Sequence, residues 1–307
     1  MNSLTFMSHP MDKLDQLPAS SPTDWLWHGY IARGNLTLLT SLWKAGKTTL
    51  VTGLLQHLAD GQSFLGRACV ASRTLMVSEE SPQHWVERLR TMPVASGARV
   101  MSRPFLTRPT SEQWESLVDH AISLRQAGEL DLLVVDPIAS FLPGRSESDA
   151  GTLMAMLQPL QRLAASGVAV LLLHHPRKKP SDEGSAARGS GALLGFVDII
   201  LELHRFGRMQ SDNCRRRLIG LSRHEETPAN VYYQWDPTNG KFQALQDAYS
   251  RQFRDNWELV KALLQHRKFA VTHNELLMDW PPDRAKPSPG ILYEWLNRAT
   301  ELKLVRR

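Results

Sequence analysis

The sequence predicts an α/β fold. A doubly wound, mainly parallel sheet spans residues 25–245, a small helical domain spans residues 246–307, and residues 1–24 form a flexible tail. Three observations lead to this reading. Apolar, β-prone runs alternate with amphipathic helical stretches between residues 30 and 225, the pattern of repeated βα units. One run, Leu36-Thr37-Leu38-Leu39, turns through a lysine- and glycine-bearing loop directly into a helix. Another, Leu132-Leu133-Val134-Val135, is continuously apolar, as a strand covered on both faces is, and ends on Asp136.

The first strand follows the aromatic stretch Trp25 to Gly34 and passes through Ser41-Leu42-Trp43-Lys44-Ala45-Gly46-Lys47-Thr48 into a helix ending near Asp60. Leu50, Val51, Leu54, Leu55 and Leu58 make that helix's apolar face. Gly-Lys-Thr at a helix mouth behind a strand is phosphate-binding chemistry, because backbone N–H groups and the helix N-terminus attract anions. The lysine of such a loop reaches the terminal phosphates and the hydroxyl ligates Mg²⁺. Those roles fall to Lys47 and Thr48, and Ser41, Lys44, Ala45, Gly46 and Thr49 complete the ATP-binding set. The usual pattern opens on glycine. Ser41 stands in that place here, which requires an ordinary φ,ψ or tolerated strain at that residue. The upstream aromatics read as packing or as flanks for a nucleotide base.

Arg73 to Ser78 is the second strand, followed by Glu79-Glu80-Ser81-Pro82 and a helix through Leu89. A carboxylate at the carboxyl end of a strand lies where α/β sheets gather their ligands. The same pair also reads as helix N-terminal charge. Val100 to Phe105 is a short strand, and Ser111 to Gln126 a helix capped by Ser111, with Trp114, Leu117, Val118 and Ile122 at helical spacing. Asp136, at the end of the next strand, faces Thr48 as the second Mg²⁺ residue. A helix from Asp149 to Ala165 is interrupted by Pro159, and the buried strand Val168 to Leu173 ends in His174-His175. Pro176 to Ser190 reads as a basic loop. Asp198 to His204 and Arg217 to Arg223 read as strands, and Tyr232 to Trp235 with Lys241 to Leu245 as a hairpin around Asn239-Gly240.

Composition bounds the rest. At 307 residues the chain is long enough for one large α/β domain and a small module. No apolar run approaches the length of a membrane span, roughly 18 residues. The start lacks the continuous apolar stretch of a secretory signal. The two cysteines, Cys69 and Cys214, have no metal spacing, which fits a reducing, cytoplasmic setting. A net charge of +5 permits a polyanionic partner.

Four pieces, WKAGKTT, SEES, LLVVDP and LLLHHPRK followed by ARGSGAL, stand in one order, each of the first three at a strand end. Over roughly residues 25–235 the chain resembles the RecA-like AAA_25 group of P-loop ATPases and is similar to the RepA-type hexameric replicative helicases of broad-host-range plasmids. The resemblance implies that Glu79 polarises the attacking water, that Asp136 is the Walker B aspartate, and that His175 senses the γ-phosphate beside His174. The bland alternative for the two histidines is a core pair at a strand end. Arg188 falls in a loop that faces DNA in such proteins. Related helicases carry a K-x-R pair that reaches the neighbouring subunit's nucleotide. Here Arg223 takes the lysine position and Glu225 the arginine position, so Arg215, Arg216 and Arg217 are further candidates for the trans-acting finger.

The last 62 residues change character. Asp255 to Gln265 is an amphipathic helix, Thr272-His273-Asn274-Glu275 is a capping box, and Ser288-Pro289 opens a third helix carrying Asn297 and Arg298 on its polar face. With a strand-like Lys303 to Arg307, this looks like a winged helix that stops before its wing. It reads as a DNA-binding domain or as a protein-docking module. Arg177, Lys178, Lys179 and Arg188 in the basic loop join Asn297 and Arg298 as the expected DNA contacts. The whole reads as an ATP- and Mg²⁺-dependent motor on DNA that assembles as a homohexamer. The alternatives are a DNA-binding regulator or loader that hydrolyses ATP without unwinding, and a winged-helix protein whose nucleotide only sets its oligomeric state.

Overall fold

The computed structural model describes residues 11, 22–94, 96–143, 150–175, 191–205, 214–265, 269–301 and 304–305. In chain order the elements are β1 (Trp25–Trp27), β2 (Ile31–Ala32), β3 (Leu36–Thr40), α1 (Lys47–Asp60), β4 (Thr74–Ser78), α2 (Pro82–Thr91), β5 (Ala98–Ser102) and α3 (Ser111–Gln126). They continue with β6 (Leu132–Asp136), α4 (Ile138–Phe141), α5 (Ala150–Ala165), β7 (Ala169–His174), α6 (Gly191–Phe196), β8 (Ile199–Arg205), β9 (Arg215–Ser222), β10 (Asn230–Trp235) and β11 (Phe242–Ala244). Three helices follow: α7 (Gln246–Gln265), α8 (His273–Met278) and α9 (Pro289–Glu301).

One nine-stranded sheet dominates, in the order β11-β10-β9-β8-β3-β7-β6-β4-β5. From β8 to β5 the neighbours are parallel, while β8–β9, β9–β10 and β10–β11 are antiparallel. The strand period of two splits each central strand between two cores. Leu39, Val134, Leu171 and Leu173 pack under α1 with Leu50, Leu54 and Leu58. Leu38, Val135 and Leu172 pack on the other face with Trp114 of α3 and Leu157 and Leu160 of α5. This two-sided burial is why β6 and β7 read as unbroken apolar runs. Helix α1 lies close to the sheet at Gly53, where a Cβ would come within 2.3 Å of the Phe242 ring.

The α/β reading holds, with a RecA-like mixed sheet in which the parallel strands predominate. Several boundaries differ. The third sheet strand in sequence starts and stops earlier than expected, at Ala98–Ser102 rather than Val100 to Phe105. The helix capped near Ser111 takes its cap from Thr110, whose side chain accepts from the Gln113 N–H. Helix α5 runs through Pro159 without a break. Trp25, Trp27 and Tyr30 are buried in the α1-side core and so serve packing. At the C-terminus, α8 has its capping box and α9 begins at Pro289, but α7 starts at Gln246, well before Asp255. Val260, Leu276, Leu292 and Trp295 close a small core of their own there. Residues 304–305 are bends, and no strand follows α9 among the described residues, so the winged-helix reading rests on helices alone. The N-terminal tail lies almost wholly outside the described residues.

The far end of the sheet from the cleft described below is tied by one buried carboxylate. Asp131 accepts from Arg33 Nη2 at 3.0 Å, Arg125 Nη1 at 3.0 Å and the Arg73 N–H at 2.9 Å. Burial alone would raise its pKa, but the Arg73 N–H and the Arg33 guanidinium outweigh this and hold the carboxyl below its ordinary value. Because the folded pKa is depressed, the stabilisation is present above the unfolded value, about 3.9, and is lost as pH falls through the folded value. Asp131→Ala should therefore cost about 3 kcal/mol at pH 7, the low end for a broken buried pair because the arginines keep one side to water. Urea melts of variant and wild type should converge as the pH is lowered below about 3.9.

Candidate active site

The carboxyl ends of β3, β4, β6 and β7 surround a cleft of about 320 Å³. Residues 43–49 form one wall, Glu79, Glu80, Asp136 and His175 come from the strand ends, and Arg88 reaches in from α2. The loop after β3 is held by its backbone. Gly46 caps α1 in the left-handed region at φ 101°, and Lys44 is at φ 58°. Ser41 is not among the positive-φ residues, so serine stands where the pattern has glycine without backbone strain.

Its hydroxyl also has a function. Lys47 Nζ donates to Ser41 Oγ at 2.9 Å, to the Ser41 carbonyl at 3.1 Å and to His175 Nδ1 at 2.9 Å. A charged Lys47 donating to Nδ1 places the proton of neutral His175 on Nε2. Burial pushes the Lys47 pKa down to about 8 against the pull of Asp136. Burial also lowers His175, with the Lys47 charge adding to it. His174 points to the other face of the sheet, where its Nδ1 lies 3.4 Å from Thr40 Oγ1, and burial takes its pKa down to about 4. The two adjacent histidines therefore divide: His175 touches the cleft and His174 belongs to the sheet.

Thr48 Oγ1 donates to Asp136 Oδ2 at 2.7 Å. Burial pushes the Asp136 pKa up to about 6, with the Glu80 and Glu79 charges adding and Thr48 and Lys47 opposing. A hydroxyl and a carboxylate side by side, with no closed cage of three or more His, Cys, Asp or Glu among the described residues, fit Mg²⁺. That ion takes one or two protein oxygens and leaves the rest of its shell to water and phosphate.

The two glutamates after β4 have different partners. Glu79 is exposed, accepts from the Ser140 hydroxyl of α4 and sends its own N–H to the Asp136 carbonyl at 3.1 Å. Both carboxylate oxygens of Glu80 are taken by Arg88, Nη2 to Oε1 being 2.9 Å. Of the pair, Glu80 bears more strongly on Asp136.

Two arginines grip the phosphate loop from outside. Arg216 Nε donates to the Ala45 carbonyl at 2.6 Å and Arg205 Nη2 to the Lys44 carbonyl at 2.9 Å. A trans peptide points C=O and N–H in opposite directions, so holding the Ala45 carbonyl turns the Gly46 N–H away from Arg216. This corrects part of the expectation about the finger. Arg216 is engaged with its own chain's loop. Arg217 is buried, donates to Asn230 Oδ1 at 2.7 Å and lies over the Tyr232 ring. Arg223 is exposed just past β9. That strand runs antiparallel to β8 with Ile199 opposite Ser222, so Arg223 sits at the end of the sheet away from its own cleft.

Arg177, Lys178, Lys179 and Arg188 lie outside the described residues, and Asn297 and Arg298 are placed on α9 by backbone alone. Arg88, Arg205 and Ser140 were not legible as site residues. The one available signal for Arg88 was its spacing from Trp85, i to i+3, on the stripe of α2 that continues from the Ser81 cap. Trp43, 72% exposed at the cleft mouth with Lys44 Nζ 4.3 Å from its ring centroid, is a further residue that the apolar pattern did not predict there.

A protein-family model described as an AAA domain, AAA_25, matches residues 2–181, more than half of the chain. The chain belongs to the AAA_25 family. Its cleft is accordingly that of a RecA-like P-loop ATPase. The family match reaches back through the N-terminal residues that composition alone would set aside as a tail. A search of curated proteins returns no match. Among solved structures, this AAA_25 chain is similar to a helicase ATPase domain, with a TM-score of 0.51 at 13% identity, covering 68% of this chain and 84% of that one. At that identity the likeness concerns the fold. No helix among the described residues is long and apolar enough to cross a membrane.

Proposed function

We propose that this protein is a ring-forming motor that couples ATP hydrolysis to work on DNA, most similar in role to RepA-type replicative helicases. The observation that supports it is the contact between Lys47 and His175. It joins the phosphate loop to the end of β7, from which the basic stretch 176–190 departs.

The chemistry is phosphoryl transfer to water, in which the protein contributes positioning and charge. The Gly46 capping region and the start of α1 receive the phosphates. Lys47 exchanges Ser41 and His175 for the terminal phosphates. Thr48 and Asp136 would hold Mg²⁺, which neutralises charge on the β- and γ-oxygens when bound. Glu79, whose carboxylate is not neutralised by a cation, accepts a hydrogen bond from the attacking water and takes its proton. His175, once Lys47 has left it, has its Nδ1 free to report the γ-phosphate to the loop carrying Arg177, Lys178, Lys179 and Arg188. Arg223 acts on a neighbour's nucleotide, which its distance from its own cleft favours. DNA runs past the basic loop, and α9 offers Asn297 and Arg298 as a second contact.

His175→Ala should keep ATP affinity within a few-fold but abolish the acceleration of hydrolysis by single-stranded DNA. ATPase rates with and without DNA, beside mass photometry to follow ring formation, check this. Unchanged stimulation in the variant removes the sensor role. A monomer in every nucleotide condition removes the ring. A second reading, a loader or regulator that hydrolyses ATP without separating strands, draws support from Glu225 in the place where related helicases carry the finger arginine.

A further inference from the structure

We infer that Arg88 is a γ-phosphate ligand supplied by the same chain that supplies the phosphate loop. This inference rests on the reading of the cleft as an ATP site. Arg88 lines the cleft with Lys47, Thr48, Glu79 and Asp136, and it is the only guanidinium that does so among the described residues. Its position is built. Ser81 caps α2 directly after the end of β4, Trp85 is buried one turn on, and the guanidinium of Arg88 lies 4.8 Å from the Trp85 ring centroid. That stacking restricts the side chain to the cleft side of the helix.

Two of its five N–H donors go to Glu80, in the parallel geometry by which arginine also recognises phosphate. Glu80 is itself on the cleft wall, with a side chain 28% exposed, so a phosphate entering there meets the pair directly. The cleft walls carry Lys44, Lys47 and Arg88 against Glu79, Glu80 and Asp136. A triphosphate therefore brings negative charge into a wall that is balanced without it. Lys44 is turned over Trp43, and Lys47 is one point charge. Arg88 is the group that takes up the third phosphate, exchanging Glu80 for it. The chain then supplies within one molecule part of the charge that a finger at position 225 would have brought, where Glu225 stands.

The role is specific to the γ-phosphate, and this separates it from wall-building. With full-length protein and Mg²⁺, Arg88→Ala should bind ADP within about 3-fold of wild type and lose about 10-fold or more in affinity for the slowly hydrolysed analogue ATPγS, the value of one charge-assisted hydrogen bond. The turnover rate should fall about 10³-fold, the lower range of arginine fingers. Arg88→Lys should recover part of both, keeping the charge but not the fork. Glu80→Gln should hold or raise the preference for ATPγS over ADP, because the competitor for Arg88 is gone. Mixing Arg88→Ala with Lys47→Ala protein should restore nothing, since both lesions lie in the same half-site. Equal loss of ADP and ATPγS in Arg88→Ala, or restoration on mixing, overturns the assignment. Wild-type protein that binds neither nucleotide overturns the nucleotide reading of the cleft, and Arg88 with it.

Discussion

Lys47→Ala should reduce ATP hydrolysis to background while leaving the fold as stable as wild type or more so. Both halves follow from one geometry. Lys47 is 4% exposed, and burial pushes its pKa down to about 8, which records the cost of keeping an ammonium out of water. Its contacts, Ser41 and His175, are neutral, and neither repays that cost as a carboxylate pair would. The charge is therefore held at a stability cost for a phosphate, and alanine removes function and cost together. A steady-state ATPase assay beside a thermal melt reads both. Turnover above a few per cent of wild type would show that another cation carries the phosphates.

The second large effect is at the strand end after β4. Glu79→Gln should keep ATP affinity and lower turnover by about 10² to 10⁴, the range for removing a general base. Glutamine keeps the size and the bond with Ser140 but cannot take a proton. Glu80→Gln should affect turnover less, because the Glu80 carboxylate is already bound through both oxygens by Arg88. The competing assignment has support in the stronger influence of Glu80 on Asp136. If Glu80→Gln stops turnover and Glu79→Gln does not, the roles are exchanged.

The parts legible in the sequence were those that depend on neighbours in the chain. A strand of four apolar residues, a turn with glycine at the helix mouth and a lysine beside it are local, so the phosphate loop and the Asp136 strand end stood out before any fold was known. Helix caps at Thr272 and Pro289 are local as well. What depends on pairing across the sheet did not show. That β3 lies between β7 and β8, or that β9 turns antiparallel and delivers Arg216 to the outside of the phosphate loop, is set by contacts more than 100 residues apart. Arg215, Arg216 and Arg217 look alike in sequence, yet alternation along β9 gives neighbouring side chains opposite faces, so one grips the loop and the next is buried against Asn230. The sheet-facing His174 and cleft-facing His175 separate for the same reason. Asp131 looked like an ordinary strand flank, and only the fold brings three arginines to it.

The central claim is that hydrolysis in this cleft drives work on DNA. Strand displacement from a forked duplex, measured beside ATPase rates with and without single-stranded DNA, tests it most directly. The account predicts DNA-accelerated hydrolysis and strand separation that requires ATP, with both lost in Lys47→Ala. Hydrolysis that DNA leaves unchanged, with no strand separation under any nucleotide condition, would contradict it.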